Sequence, residues 1–193
     1  MEGNQLFPVF LKLNQMRVLL VGAGPVGLEK LTALLNNSPE VNLHVVAEQV
    51  SEEVRMLKNT YNIQISEKSF DPSDLNDADI VIAATNNEPL NIEIREEAHK
   101  RKLLVNVADK PDLCDFYLGS IVKKGDLKIG ISTNGKSPTI AKRLKEVLAD
   151  ALPEDIDLAL QQLSAVRETL KGDFSAKVAQ LNKLTEVLIK PTK

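Results

Sequence analysis

Three groups of side chains in this sequence are of types and spacings that do chemistry. The first is a glycine loop. Residues 17–30 read Arg-Val-Leu-Leu-Val-Gly-Ala-Gly-Pro-Val-Gly-Leu-Glu-Lys, an apolar run that ends in Gly22-x-Gly24-x-x-Gly27 and passes straight into a helical pattern. Gly22 permits a tight bend, Gly24 lets a pyrophosphate approach the backbone, and Gly27 lets helix and strand pack closely. A helix opening at Pro25 and Val26 offers unpaired N–H groups and a partial positive charge to phosphates. A dinucleotide is therefore the expected ligand of Gly22, Gly24, Pro25, Val26 and Gly27.

The second group follows the later apolar runs. Glu48, with Gln49 beside it, comes 21 residues after Gly27. A carboxylate there accepts hydrogen bonds from the adenosine ribose hydroxyls and repels a 2′-phosphate, which favours NAD over NADP. The plainer alternative is that Glu48 complements the positive end of the helix that follows. Thr85 and Asn86, with Asn87, either line the cofactor cleft or serve as ordinary turn residues. Asp109 closes the run Asn106-Val107-Ala108-Asp109-Lys110-Pro111. A carboxylate at the cleft mouth takes a proton while a hydride leaves the substrate; a turn aspartate beside a proline reads the same way. Lys110 either sets the charge of its neighbour or binds a substrate carboxylate.

The third group is Gly135-Lys136-Ser137-Pro138. It is suited to an anion at a helix N-terminus but lacks the GxxxxGK[ST] pattern, which argues against a nucleoside triphosphate. Ser137 is a good N-cap and Pro138 suits the first helical position in either case. Lys142, Arg143 and Lys145 lie on the same helix. Cys114 fits a small packing residue better than a nucleophile. One cysteine and two separated histidines, His44 and His99, give no metal-ligand cluster.

Composition bounds the rest. The 193 residues are 43% hydrophobic and 26% charged, with net charge −3. That suits one large domain or a domain with an appendage. No apolar run is long enough to span a membrane, and the N-terminus lacks a signal-peptide pattern, so the cytoplasm is the expected compartment. The charge is segregated: residues 1–109 carry −6, residues 110–145 carry +5 and residues 146–193 carry −2. A basic island in an acidic chain asks for an anionic partner, or is a solvated lysine face. With few aromatics in the island and no helix-turn-helix pattern, nucleic acid is not expected.

These residues need a frame. The periodicity predicts an edge strand at 7–13, a strand at 17–21, a helix at 25–36, a strand at 42–47, a helix at 51–60, and a short strand at 62–66. After a weak helical signal at 73–76 come a strand at 79–84, a helix from Asn91 to Lys102, and a strand from Leu103 to Val107. Strands alternating with helices imply an α/β fold of Rossmann type, with a parallel, doubly wound sheet. Beyond it, β-like runs at 117–122 and 127–132 flank the turn Lys123-Lys124-Gly125-Asp126. A helix runs from Pro138 to about 151. Two more are predicted near 154–171 and 174–189, separated at Gly172. The expected division is a nucleotide-binding domain over 1–112, a β-hairpin region over 113–137 and a C-terminal helical region over 138–193.

The motifs then fall into a familiar order. Phe-Pro-Val-Phe-Leu-Lys-Leu at 7–13, the glycine loop, Ala83-Ala84-Thr85-Asn86-Asn87, Asn106-Val107-Ala108-Asp109, Leu113-Cys114-Asp115-Phe116 and Ser132-Thr133-Asn134-Gly135-Lys136-Ser137-Pro138 resemble the precorrin-2 dehydrogenase and sirohydrochlorin ferrochelatase family of sirohaem synthesis. The resemblance covers about residues 5–152. It implies that precorrin-2, a polycarboxylate tetrapyrrole, loses a hydride to NAD and a proton to a base, giving sirohydrochlorin. Asp109 stands at the family's catalytic aspartate and Ser137 in its substrate-side loop, with Lys110, Lys136 and Arg143 as candidate carboxylate-binding residues. The hairpin matches the part through which family members form homodimers. Some members also insert Fe2+ into sirohydrochlorin; here iron is a substrate, and no bound metal is expected. Others carry a methyltransferase domain, so with the sequence ending at 193, methylation is expected of another protein. Pro25 stands where an acidic or polar residue is frequent in the family, and Gly27 where alanine is common. A non-catalytic NAD-sensing module would explain the glycine loop and Glu48, but not Asp109 together with the basic island. A dehydrogenase of a small acid would need a His or Arg at the substrate, for which Arg143 is available.

Overall fold

The apolar runs of the first hundred residues become strands buried on both faces, as the rule for parallel sheets demands. The structure is a computed structural model and describes residues 3–170 and 174–185. It divides into two units, Phe7–Leu118 and Met1–Leu6 with Gly119–Lys193.

In the first unit the order is β1 (Arg17–Ala23), α1 (Pro25–Asn37), β2 (Asn42–Val50), α2 (Glu52–Leu57), β3 (Ile63–Glu67), β4 (Ile80–Ala83), α3 (Glu88–Lys100) and β5 (Leu104–Val107). All neighbouring strands are parallel, in the order β3-β2-β1-β4-β5. This is the expected doubly wound sheet. Alternate residues of β1 serve its two faces. Val18 and Leu20 pack with Leu31 and Leu35 of α1 and Val54 of α2, while Leu19 and Val21 pack with Ile94 and Ala98 of α3. The strand order reverses between β1 and β4, so the crevice beyond their carboxyl ends is where such a sheet binds ligands.

Several boundaries differ from the sequence reading. Residues 7–12 form no strand, and Leu13–Gln15 is a short 3₁₀ turn. Phe7 and Phe10 are 86% and 70% exposed, and Pro8 has no N–H to give a ladder. Alternation of apolar residues is not enough without a neighbouring strand. β2 runs on to Val50 and therefore contains Glu48 and Gln49. The helix after it stops at Leu57. Residues 72–75 are a 3₁₀ turn with a capping box from Asp71 and Asp74. α3 starts at Glu88 instead of Asn91, because the Asn87 side chain accepts from the Leu90 N–H at 3.2 Å and Pro89 occupies the first turn.

The second unit opens with β6 (Ser120–Lys124) and β7 (Leu127–Ile131), an antiparallel pair. Lys124 pairs with Leu127, so the turn is Gly125-Asp126 alone, with Gly125 at φ +56. Asp157 accepts from the Asp126 N–H at 2.7 Å and fixes that turn. α4 (Pro138–Ala151), α5 (Ile156–Thr169) and α6 (Phe174–Thr185) follow. Lys124 Nζ donates to the Leu152 carbonyl at 2.7 Å and pairs with Glu154 at 2.8 Å, tying β6 to the end of α4. Among its described residues, Val122 and Ala141 are the buried hydrophobic ones. Gly172 and the predicted helix beyond Thr185 lie outside the described residues.

The core of the first unit sets its stability. Leu31→Ala, at a fully buried position, is expected to cost about 3 kcal/mol. Met56→Ala, at an exposed one, should stay within about 0.5 kcal/mol. Urea unfolding of the two variants checks the contrast.

Candidate functional site

The glycine loop is a chain of close backbone approaches. Gly22 has φ +107, and a Cβ there would overlap the Ala84 carbonyl at the end of β4. A Cβ at Gly27 would overlap the Gly22 carbonyl, across the joint between α1 and β1. Both glycines are thus demanded by the protein's own packing. Gly24 is different. It is extended, it is the N-cap of α1, and a Cβ there would meet nothing within 4 Å. Nothing in the fold requires its lack of a side chain, whereas a phosphate lying against the backbone does. Pro25 lacks an N–H, and the amides of Val26 and Gly27 stand in the first turn, where no intrahelical acceptor exists. The Gly22–Gly27 segment therefore fits a dinucleotide pyrophosphate.

Glu48 and Gln49 lie on the exposed end of β2. The β1–β2 register steps from Val21↔Val46 to Ala23↔Val50. Residues 47–49 therefore bulge opposite Gly22, which carries Glu48 and Gln49 alongside the loop. Ser69 Oγ donates to Glu48 Oε1 at 2.7 Å and orients the carboxylate. The helix-end role has other holders: Ser51 caps α2, and Glu52 and Glu53 fill its first turn.

Thr85 follows β4 and is held by the Asn91 side chain, one turn inside α3. Asn91 Oδ1 accepts from Thr85 Oγ1 at 2.7 Å and from Thr85 N–H at 3.3 Å, and its Nδ2 donates to the Thr85 carbonyl at 3.0 Å. The signal was present: Asn91 shares the inward stripe of α3 with Ile94 and Ala98, a position where an apolar residue is the norm. Asn86 is exposed on the same loop.

Asp109 sits just past β5. Ala108 N–H donates to the Ala83 carbonyl at 2.9 Å, and Lys110 N–H to Val107 at 3.3 Å, closing a turn. Asp109 takes φ +59 in that turn, a conformation open to glycine, asparagine and aspartate. Its side chain is exposed. Lys110 turns away to Glu88 at 2.6 Å. The loop is stapled back along β5 by three residues. Asn106 Nδ2 donates to the Phe116 carbonyl at 2.8 Å. Cys114 Sγ accepts from Val107 N–H at 3.2 Å. Asp115 Oδ2 accepts from Val105 N–H at 2.9 Å and pairs with His99 at 2.9 Å. Burial pushes the Cys114 thiol up, so it is a protonated packing group and not a nucleophile. Sequence reading did not find the His99–Asp115 pair, since nothing in spacing joins the two.

In the second unit, Asn134 at φ +54 and Gly135 at φ +71 turn the chain into α4. Ser137 caps that helix, accepting from Ile140 N–H at 3.2 Å. Lys136 lines a recess of about 360 Å³ with Gly3, Gln5, Leu6 and Asn134. Arg143 is spent on Glu146 at 3.0 Å. Among the described residues, no cluster of His, Cys, Asp or Glu could hold a metal, and no helix is long and apolar enough to cross a membrane.

Comparisons with known proteins agree with this geometry. A family model described as putative NAD(P)-binding matches residues 9–120, and one described as sirohaem biosynthesis protein central matches residues 124–151. The siroheme synthase of Pseudoalteromonas atlantica is 32% identical over 172 residues, 89% of this chain and 37% of that protein. The siroheme synthase of Vesicomyosocius okutanii is 34% identical over 168 residues, 87% of this chain and 36% of that one. The chain thus spans about a third of the length of these relatives. The solved structure of SirC, precorrin-2 dehydrogenase, superposes with a TM-score of 0.76 at 25% identity, covering 93% of this chain and 89% of that one.

The glycines separate folding from binding. Gly22→Ala is expected to cost about 3 kcal/mol of stability, from the strained φ and the clash with Ala84. Gly24→Ala should stay within about 1 kcal/mol yet weaken NAD on the order of tenfold or more. Urea unfolding without ligand and an NAD titration of each variant test the distinction.

Proposed function

Because the chain belongs to the putative NAD(P)-binding family, in the branch that carries the sirohaem biosynthesis central region, we propose that it oxidises precorrin-2 to sirohydrochlorin with NAD. The observation that carries this reading is Asp109. Its carboxylate is exposed in the turn just past β5. That turn adjoins the β4 end against which Gly22 packs. An exposed acid at the carboxyl ends of the strands, beside the glycine loop, is placed to take a proton there.

In this proposal Gly22, Gly24, Pro25, Val26 and Gly27 hold the pyrophosphate, and Glu48 and Gln49 the adenosine ribose. Thr85 and Asn86 wall the cleft. NAD supplies the hydride acceptor when bound. Asp109 would accept the proton that precorrin-2 releases as the hydride departs, so the substrate loses two electrons and two protons, one proton with the hydride and one to the carboxylate. Lys110, Lys136, Ser137 and Arg143 are the proposed carboxylate-binding residues. The recess beside Lys136 and the capped start of α4 support the second and third of these. Lys110 and Arg143 would exchange their present carboxylate partners, Glu88 and Glu146, for those of the substrate.

We further propose that the protein works in the cytoplasm as a homodimer joined through the β6–β7 hairpin region. Ile140, Leu144 and Val147 support it, a stripe 55%, 43% and 62% exposed along α4, the helix that packs against β6. Sedimentation should give twice the chain mass, and Leu144→Asp should lower it towards that of the single chain.

Mixing the protein with NAD and precorrin-2 and following NADH absorbance tests the reaction. Asp109→Ala is expected to lower turnover about a hundredfold or more while NAD affinity stays within about twofold. Turnover at the wild-type level would remove Asp109 from the mechanism. A wild-type protein that binds NAD but forms neither NADH nor sirohydrochlorin would be the sensing module instead.

A further inference from the structure

We propose that Asn91 is the positioning residue of the dinucleotide cleft, fixing Thr85 and, through it, the wall that borders Gly22. This rests on the NAD reading above. Asn91 is 6% exposed and points inward from α3, on the same stripe as Ile94 and Ala98. Burying an amide where an apolar side chain would pack is costly unless each polar atom is satisfied. Here the amide meets all three polar groups of one residue. Its oxygen takes Thr85 N–H and Oγ1, at 3.3 and 2.7 Å, and its nitrogen serves the Thr85 carbonyl at 3.0 Å.

The pattern fixes the orientation of the amide, because a flipped Asn91 would set oxygen against carbonyl and nitrogen against N–H. Thr85 Oγ1 in turn accepts from Asn87 N–H at 3.2 Å, so the brace extends to the cap of α3. Its other side bears on the glycine loop. A Cβ at Gly22 would lie 3.0 Å from Thr85 N. Thr85 N thus borders the space over Gly22, and a shift of Thr85 changes that space. An apolar residue at position 91 would fill the space but leave Thr85 to choose its own conformation. Asn91 touches neither the reacting atoms nor, in this reading, the cofactor; it acts through Thr85.

The test uses Asn91→Leu, Asn91→Asp and Thr85→Val in the full chain, read by NAD titration, steady-state kinetics and amide exchange. Asn91→Leu should weaken NAD about tenfold. The loss should fall on KM for NAD, with kcat retained at saturating NAD and KM for precorrin-2 unmoved. Asn91→Asp keeps both acceptor positions but sets a buried carboxylate oxygen against the Thr85 carbonyl, so a loss at least as large is expected. If Asn91 acts through Thr85, the double variant Asn91→Leu/Thr85→Val should lose less than the product of the single losses. The Thr85 amide should exchange faster in Asn91→Leu while those of Leu20 and Ile82 stay protected. Should the leucine variant fail to fold, the aspartate variant reads the same quantities. Wild-type NAD affinity in a folded Asn91 variant, with or without lowered thermal stability, would overturn the proposal and leave the NAD reading standing. A wild-type protein that binds no NAD would overturn both.

Discussion

The approach of Gly22 to Ala84 is the contact on which the rest of the site depends. β1 and β4 are hydrogen-bonded neighbours, and Ala84 N–H donates to Val21 at 2.8 Å. The chain leaving β1 must turn over the end of β4 with no room for a side chain. Gly27 then lets α1 settle against the Gly22 carbonyl. Strand end, turn and helix start are thus locked as one piece of backbone. The register step in β2 follows from the same turn, since a residue at φ +107 cannot keep pace with a regular neighbour. That step swings Glu48 and Gln49 alongside the loop. One steric constraint therefore sets both the glycine loop and the position of the acid beyond it.

How much of this is legible in the sequence depends on whether the governing interaction is local. The parallel sheet is legible because β1, β2 and β4 are apolar on both faces, and the glycine loop because each glycine answers to a specific steric demand. Glu48 is legible as a residue near the second strand, but the strand's extension to Val50 is not, since the bulge arises from β1. The false strand at 7–13 fails for the complementary reason: alternation is local, but a strand needs a partner, and among the described residues none pairs with Phe7 to Lys12. Asn91 reads as a helix start because asparagine caps helices; that it lies a turn inside follows from the cap at Asn87. The His99–Asp115 pair joins α3 to the loop beyond β5 and leaves no local trace. Asp109 is visible by its place after an apolar run, but its left-handed backbone is not.

Among the described residues, two polar residues are buried as a whole, Asn91 and Asn106. Both are asparagines, and both serve neighbouring strand ends. Asn91 holds the loop after β4, and Asn106 holds the return of the loop after β5 through the Phe116 carbonyl. An apolar residue at either place would bury more hydrocarbon without the penalty of a desolvated amide. Nor does the sheet need either side chain, since its ladders are backbone pairs, Asn106 itself pairing with Ile82 through its backbone. What each supplies is direction. An amide with donor and acceptor on one planar group accepts one arrangement of its neighbours and refuses the rest, whereas a leucine tolerates many. The sheet places Thr85 and Asp109 at adjacent strand ends, and the two buried amides restrict how far either loop can wander from there. Loops that merely closed the fold would have no use for that restriction; loops that must hold groups in fixed positions do.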